Sequence, residues 1–310
     1  MTARFILSLD CEGKWGVADL LNAAFHRDLS DERLKTAYRD IVDLLDEFAI
    51  PATFAFVGAF AQPTAKFGEI GDGLRDLAVK APDYLGPALA DIDHGSRQGW
   101  HGEWAVDGVA SAATTHEIAL HGMTHVPWTD VDDTFIRAEL ALWRSMSGPV
   151  SHSRTFVFPR NAIAHCDRLA EAGIEGYREA RPRVSRVRSL VSEFYPWPAL
   201  DRDPEHRPGM IAIPAGRFVN WQHGPRRLVP RTLSAARAAR MLQSADRDHG
   251  VVHYWLHPEN LASAPATIEV LRDVLRLVAD LRDRGGCKVM TQAQYCADRR
   301  EAGRHVRAHL

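Results

Sequence analysis

A chain of 310 residues, 45% hydrophobic and 25% charged, can bury an ordinary core without disulfide or metal staples. Its net charge of −2 gives no reason to expect a nucleic-acid partner, and no apolar run approaches the roughly 18 residues of a membrane span. The four cysteines, Cys11, Cys166, Cys287 and Cys296, show no CxxC spacing, so neither a disulfide framework nor a cysteine-rich zinc site is expected. The N-terminus lacks a basic segment followed by a long apolar one, which predicts a cytoplasmic protein with free thiols and no membrane partner.

Short apolar runs alternate with amphipathic stretches, the pattern of repeated βα units. Residues 4–10 read as a buried strand. Residues 31–48 carry Leu34, Ile41, Leu44 and Leu45 near helical spacing, with Ser30 or Asp31 as cap. Pro51 breaks the chain before a second strand at 53–57. The stretch 58–115, rich in Gly, Asp and Pro, reads as an elaborated crossover with one or two helices. A third strand at 117–121 precedes a helix at 130–146. A fourth strand at 154–158 stops at Pro159, and a short helix at 163–172 leads to Gly176–Glu179. A strand at 210–213, a helix at 231–247, a strand at 251–256, a helix at 265–284 and a strand at 288–290 complete the series. Seven or so parallel strands with intervening helices predict a distorted (β/α)7-8 barrel over residues 1–310, with an open doubly wound sheet as the alternative.

Polar residues gather at the ends of these strands. Asp10 and Glu12 lie two apart, so both can point to one side of the chain. His121 and His125 are four apart, and Gly122 lets the backbone leave the strand abruptly. Two imidazoles and one carboxylate would make three protein ligands, with a position open for water, as in catalytic zinc sites. Arg160 and Asn161 follow the fourth strand, and the planar fork of Arg160 suits a carboxylate. Period two places His253, Trp255 and His257 on one face, and His257 at a strand end suits a general acid or base. Trp104, Trp128, Trp197 and Trp255 are candidate sugar platforms. The arginines from Arg178 to Arg188 form a basic run that reads as a solvated rim or as a groove for an anionic substrate such as a nucleotide-linked sugar.

In this order the motifs resemble the polysaccharide deacetylase family, carbohydrate esterase family 4, including the chitooligosaccharide deacetylases. Phe5–Gly13 is similar to the family's first motif, Ile50–Gly58 to its second strand, Glu117–His125 to its metal motif, Phe158–Asn161 to its arginine motif and Leu256–His257 to its last. The resemblance implies an incomplete (β/α) barrel with Asp10 as base, Glu12, His121 and His125 as metal ligands, Arg160 as the residue that orients Asp10, and His257 as acid. It implies one divalent ion, zinc or a similar metal, and hydrolysis of the N-acyl group of an amino sugar or a sugar-containing small molecule. Three departures stand beside it: Cys11 separates the two acids, Glu12 replaces the usual Asp, and the family's Asp-Trp motif has no clear counterpart, Glu179 being the nearest candidate. The first two leave open whether Asp10 itself is a ligand. An amidase for a non-sugar or cyclic amide, an inactive carbohydrate-binding protein and a metal-stabilised structural protein are the rival readings. The expected partner is a small molecule or an oligosaccharide.

Overall fold

The computed structural model describes residues 2–182, 184–195, 204 and 209–308. Nine strands run through it: β1 (Ala3–Cys11), β2 (Thr53–Phe56), β3 (Glu117–Leu120), β4 (Thr155–Phe156), β5 (Gly176–Arg178), β6 (Ile211–Ile213), β7 (Arg217–Phe218), β8 (Val251–Leu256) and β9 (Cys287–Val289). Every pairing among the described residues is parallel, in the order β6-β5-β4-β3-β2-β1-β8-β7. No pairing joins β6 to β7 among these residues, so the curled sheet stays open on that side. This is the incomplete barrel expected from the sequence.

β1 is the axis of the sheet. β8 pairs with Arg4–Leu9 along one edge, while β9 pairs with Ala3–Phe5 and β2 with Ser8–Cys11. Because β8 occupies its whole edge, β9 and β2 must share the other, one after the other. All but one residue of β1 are buried, as a central parallel strand covered on both faces requires.

The helix predicted at 31–48 runs over Asp31–Phe48 and buries Leu34, Ile41, Leu44 and Leu45. Ser30 is its N-cap position, and Asp31 and Glu32 place negative charge in its first turn, where the helix dipole favours it. The crossover at 58–115 is more helical than expected, with helices Gly58–Ala61, Phe67–Lys80, Pro82–Asp93 and Glu103–Ala110. Glycines 68, 71 and 73 and Pro87 lie inside these helices and mask their helical signal; buried Ile70, Leu74, Leu77 and Leu85 hold them to the core. Several elements escaped the sequence reading, among them strand β7, the helix at Gln292–Ala308 and two that matter for the site, a 3-10 helix at Gly13–Leu20 and a helix at Pro258–Ser263. The last two sit at the site's edge, each directly following a strand end that carries a candidate site residue. All four cysteines are free and buried, and no helix of the described residues is long and apolar enough to cross a membrane.

Candidate functional site

The C-terminal ends of the parallel strands bring Asp10 and Glu12 from β1, His121 and His125 after β3, and His257 after β8 into one cluster. One ligand atom each from Glu12, His121 and His125 lies within 4.8 Å of the others, and the same holds for Asp10, Glu12 and His257. Glu12 is the hub. Its Oε1 is 3.0 Å from Nε2 of His121, 3.0 Å from Nε2 of His125 and 3.3 Å from Nε2 of His257.

The backbone is shaped to make this possible. Gly122 has φ +72, and a Cβ there would stand 2.9 Å from Cγ of Pro159. His125, Arg160 and Asn161 all adopt positive φ without being glycine, the kind of strain that surrounding structure must hold in place. The His121–His125 turn is held by a buried carboxylate, Glu139. Its Oε1 accepts from the backbone N–H groups of Met123 and Thr124, at 3.0 and 2.9 Å, and from the Thr124 hydroxyl at 2.7 Å. Its Oε2 accepts from Nε1 of Trp128 at 2.7 Å. Gly16 matters for the room it leaves, since a Cβ on it would fall 1.8 Å from Oε2 of Glu12. The space in which the Glu12 carboxylate rests therefore exists because residue 16 has no side chain.

The histidines are set up as donors of lone pairs. Nδ1 of His121 lies 2.8 Å from the Val157 carbonyl, which can only accept, so Nδ1 carries the proton and Nε2 presents its lone pair towards Glu12. Nδ1 of His125 is buried with no hydrogen-bond partner among the described residues, and its Nε2 faces only the Glu12 carboxylate. Burial lowers the pKa of His125 and holds it neutral, more strongly than the Glu12 carboxylate raises it. Two neutral imidazole nitrogens and a carboxylate oxygen converging in a buried space, one imidazole unsatisfied, fit a divalent cation of the zinc type.

Around this cluster the charges are fixed. Burial alone would raise Asp10, but the Arg178 guanidinium outweighs it and lowers its pKa. Burial would raise Glu12 as well, yet the charge on His257 helps to hold it well below the usual carboxylate range. For His257 burial disfavours the cation, and the carboxylates of Glu12 and Asp10 outweigh it, raising the imidazole to about 10. Nδ1 of His257 lies 3.3 Å from Oδ1 of Asn260, which also accepts from the His257 backbone N–H at 3.1 Å. Glu259 stands behind the cluster, its Oε1 accepting from the backbone N–H groups of Glu12 and Gly13 at 3.1 and 2.6 Å. Burial, and then the charge of Glu12, push Glu259 up to about 7.

The expected partner of Asp10 is not the one found. Arg160 is bonded to Asp19 and lies over the Tyr84 ring, while Asp10 is gripped by Arg178 through two bonds of 2.7 Å each. The left-handed turn at Arg160 and Asn161 accounts for this, because it places Arg160 beside the 3-10 helix that carries Asp19 and leaves Asn161 against Arg178. The Oδ1 of Asn161 accepts from Arg178 at 3.1 Å. Glu179 lies against neither His257 nor Arg178; it accepts from the Tyr177 hydroxyl at 2.7 Å. Of the candidate platforms, Trp128 is fully buried on Glu139, and Trp104 packs on Tyr38 and Phe60, bonded to the His101 carbonyl. Trp197 lies outside the described residues. Trp255 stays at the site, its ring 5.6 Å from that of His257 and 4.6 Å from the Arg178 guanidinium.

No family model matches the chain, and no curated protein does. Solved structures do. A Mycobacterium smegmatis protein named provisionally as a polysaccharide deacetylase superposes with a TM-score of 0.58 at 15% identity, over 99% of this chain and 91% of that one. The fold is that of a polysaccharide deacetylase. A family 4 carbohydrate esterase of Bacillus subtilis, PdaA, covers 96% of this chain and 82% of its own at 11% identity and a TM-score of 0.44. A family 4 acetyl xylan esterase of Clostridium thermocellum, solved with cobalt, covers 94% of this chain and 88% of its own at 14% identity and a TM-score of 0.41.

Proposed function

We propose that this protein is a metal-dependent hydrolase that removes the N-acyl group, in the simplest case acetyl, from an amino sugar or a sugar-containing small molecule. The observation that carries the reading is the convergence on Glu12: two imidazole nitrogens at 3.0 Å that fit a cation, beside an acid–base pair formed by Asp10 and His257. Glu12, His121 and His125 would hold one divalent ion, zinc or a similar metal. Bound there, it would lower the pKa of a water and polarise the acyl carbonyl.

The chain's own residues supply the proton traffic. Asp10, kept ionised by Arg178, takes a proton at a carboxylate oxygen. Arg178 orients both of those oxygens, and Asn161 and Ser8 in turn hold Arg178 at 3.1 and 3.2 Å. His257 delivers a proton from Nε2 to the departing nitrogen, because an amine leaves poorly as an anion. Nε2 lies 3.9 Å from Oδ2 of Asp10, so donor and acceptor face one substrate from two sides. Asn260 holds the other ring nitrogen of His257.

The test is acetate release from N-acetylated chito-oligosaccharides and from small acylated amino sugars, with zinc or cobalt supplied. Activity is expected to disappear with chelator and with Asp10→Asn while circular dichroism stays native. Release of acyl groups only from non-sugar or cyclic amides would favour the rival amidase reading. Tight sugar binding without release would favour a binding protein.

A further inference from the structure

Next to the metal-binding residues, beyond the rings of Trp255 and Phe218, lies a cavity of about 750 Å3. Five of the residues lining it are arginines, Arg160, Arg181, Arg188, Arg217 and Arg226, and one, Glu193, is acidic. Glu193 is already engaged twice, by Arg226 at 3.0 Å and by the buried Arg237 beneath it. Arg160 is matched by Asp19, and Nε of Arg181 donates to the Gly216 carbonyl at 2.7 Å. Among the described residues Nε of half-buried Arg217 has no partner, and burial together with the guanidiniums of Arg181 and Arg237 lowers the pKa of Arg217. Among the described residues neither Arg188 nor Arg217 meets a carboxylate, so a chain of net charge −2 places two unmatched guanidiniums in one concave place.

We propose that this cavity binds the phosphate of a glycosyl phosphate, and that the substrate is an acylated amino sugar carrying that phosphate; the second half of the statement rests on the hydrolase reading above. A single carboxylate saturates one planar guanidinium, whereas a phosphate offers three oxygens to several at once. The volume suits a saccharide with one or two phosphates. The path between the two sites is short and lined for a sugar ring. Phe218 and Trp255 pack at 4.8 Å, and both rings border His257, at 5.9 and 5.6 Å. A sugar lying on these rings would present its acyl group to Asp10 and His257 and its phosphate to the arginines.

The experiment separates the two readings. Zinc-loaded protein is titrated calorimetrically with glucose 1-phosphate, uridine diphosphate glucose and neutral methyl glucoside, none of which has an acyl group to lose. At least tenfold tighter binding of a phosphorylated ligand, weakened by Arg217→Gln and by Arg188→Gln and by added salt, supports the phosphate site whether or not any amide is cleaved. A preference for the diphosphate over the monophosphate identifies a nucleotide-linked sugar; the reverse identifies a sugar phosphate. In parallel, kcat/KM is measured for N-acetylglucosamine and N-acetylglucosamine 1-phosphate. The expected result is a phosphorylated-to-neutral ratio of ten or more, which falls at least tenfold in Arg217→Gln. Equal binding of charged and neutral ligands overturns the phosphate site even if deacetylation is robust. Phosphate binding without acyl release leaves the site standing and removes the hydrolase reading instead.

Discussion

Arg178 holds Asp10 with both ends of its guanidinium, each bond 2.7 Å, at a place where neither side chain is more than 3% exposed. A pair so deeply buried is costly to break from one side, because the charge left behind has no water to turn to. Arg178→Gln is expected to destabilise the fold by about 3–5 kcal/mol and to remove most turnover, while the double variant with Asp10→Asn regains most of the stability and none of the activity. Arg160→Gln, at a partly exposed ion pair, is expected to cost under about 1 kcal/mol. Chemical denaturation of the four proteins checks the ranking. Equal losses for Arg178→Gln and Arg160→Gln would remove Arg178 from its place beside the base.

Metal content tests the ligand set. The wild-type protein is expected to carry one divalent ion per chain, and His121→Ala, His125→Ala and Glu12→Gln each to reduce it well below that level. Asp10→Asn should keep it, since both oxygens of Asp10 are already taken by Arg178. Elemental analysis after gel filtration gives the answer, and loss of metal from Asp10→Asn would make Asp10 a ligand.

His257 is tested through the leaving group. His257→Ala should cripple cleavage of an N-acetyl sugar by about 10²–10⁴-fold, the usual worth of a positioned acid. The loss on an activated aryl acetate, whose leaving group needs no proton, should be far smaller. Equal losses in kcat/KM on the two substrates would show that His257 binds rather than donates.

A buried histidine outside the candidate metal ligands gives the protein a measurable acid sensitivity. His253 donates from Nδ1 to the Pro214 carbonyl at 2.6 Å and accepts at Nε2 from the Ser8 hydroxyl at 2.9 Å. Burial first, and then Arg178, push its pKa down to about 3. The unfolded chain thus binds this proton more readily than the folded one between pH ~6.5 and about 3, so stability rises with pH across that window and is lost as pH falls through it. Between pH 6.5 and 5 the change from this one group is about 2 kcal/mol. His253→Gln, which can still donate and accept but cannot charge, should be less stable at pH 7 yet flatten the decline; an unchanged slope in urea titrations at pH 7, 6 and 5 would contradict the assignment.

The parts of this site that the sequence made legible share one property: their chemistry follows strand ends at short range. Asp10 and Glu12 close the apolar run of β1, and His121 and His125 flank a glycine whose positive φ the structure confirms. Arg178 was harder to see. It stands first in a run of arginines that reads as solvated, although its own position on β5 is fully buried. Arg160 had the better motif and the wrong direction, because a left-handed residue turns its side chain where no spacing rule would point it. Glu139 faces inward from an amphipathic helix, and a carboxylate on such a helix reads as exposed until four donors are seen to meet it. The crossover at 58–115 hid its helices behind glycines. For Arg178 and Arg160 the missing information is a contact between segments far apart in the chain.

Gly16 carries a consequence for recognising other chains built this way. Because any side chain at that position would displace the Glu12 carboxylate, the carboxylate and the space it fills form one unit, spelled Asp-Cys-Glu-Gly-Lys-Trp-Gly from Asp10 to Gly16. A search keyed to two adjacent acids passes over this spelling. Any chain that spells Asp-x-Glu-Gly-x-x-Gly at the end of a first apolar strand, followed by His-Gly-x-x-His, has the same room for a glutamate to reach two imidazoles. The longer acid needs room behind it, and the second glycine is how a genome records that room.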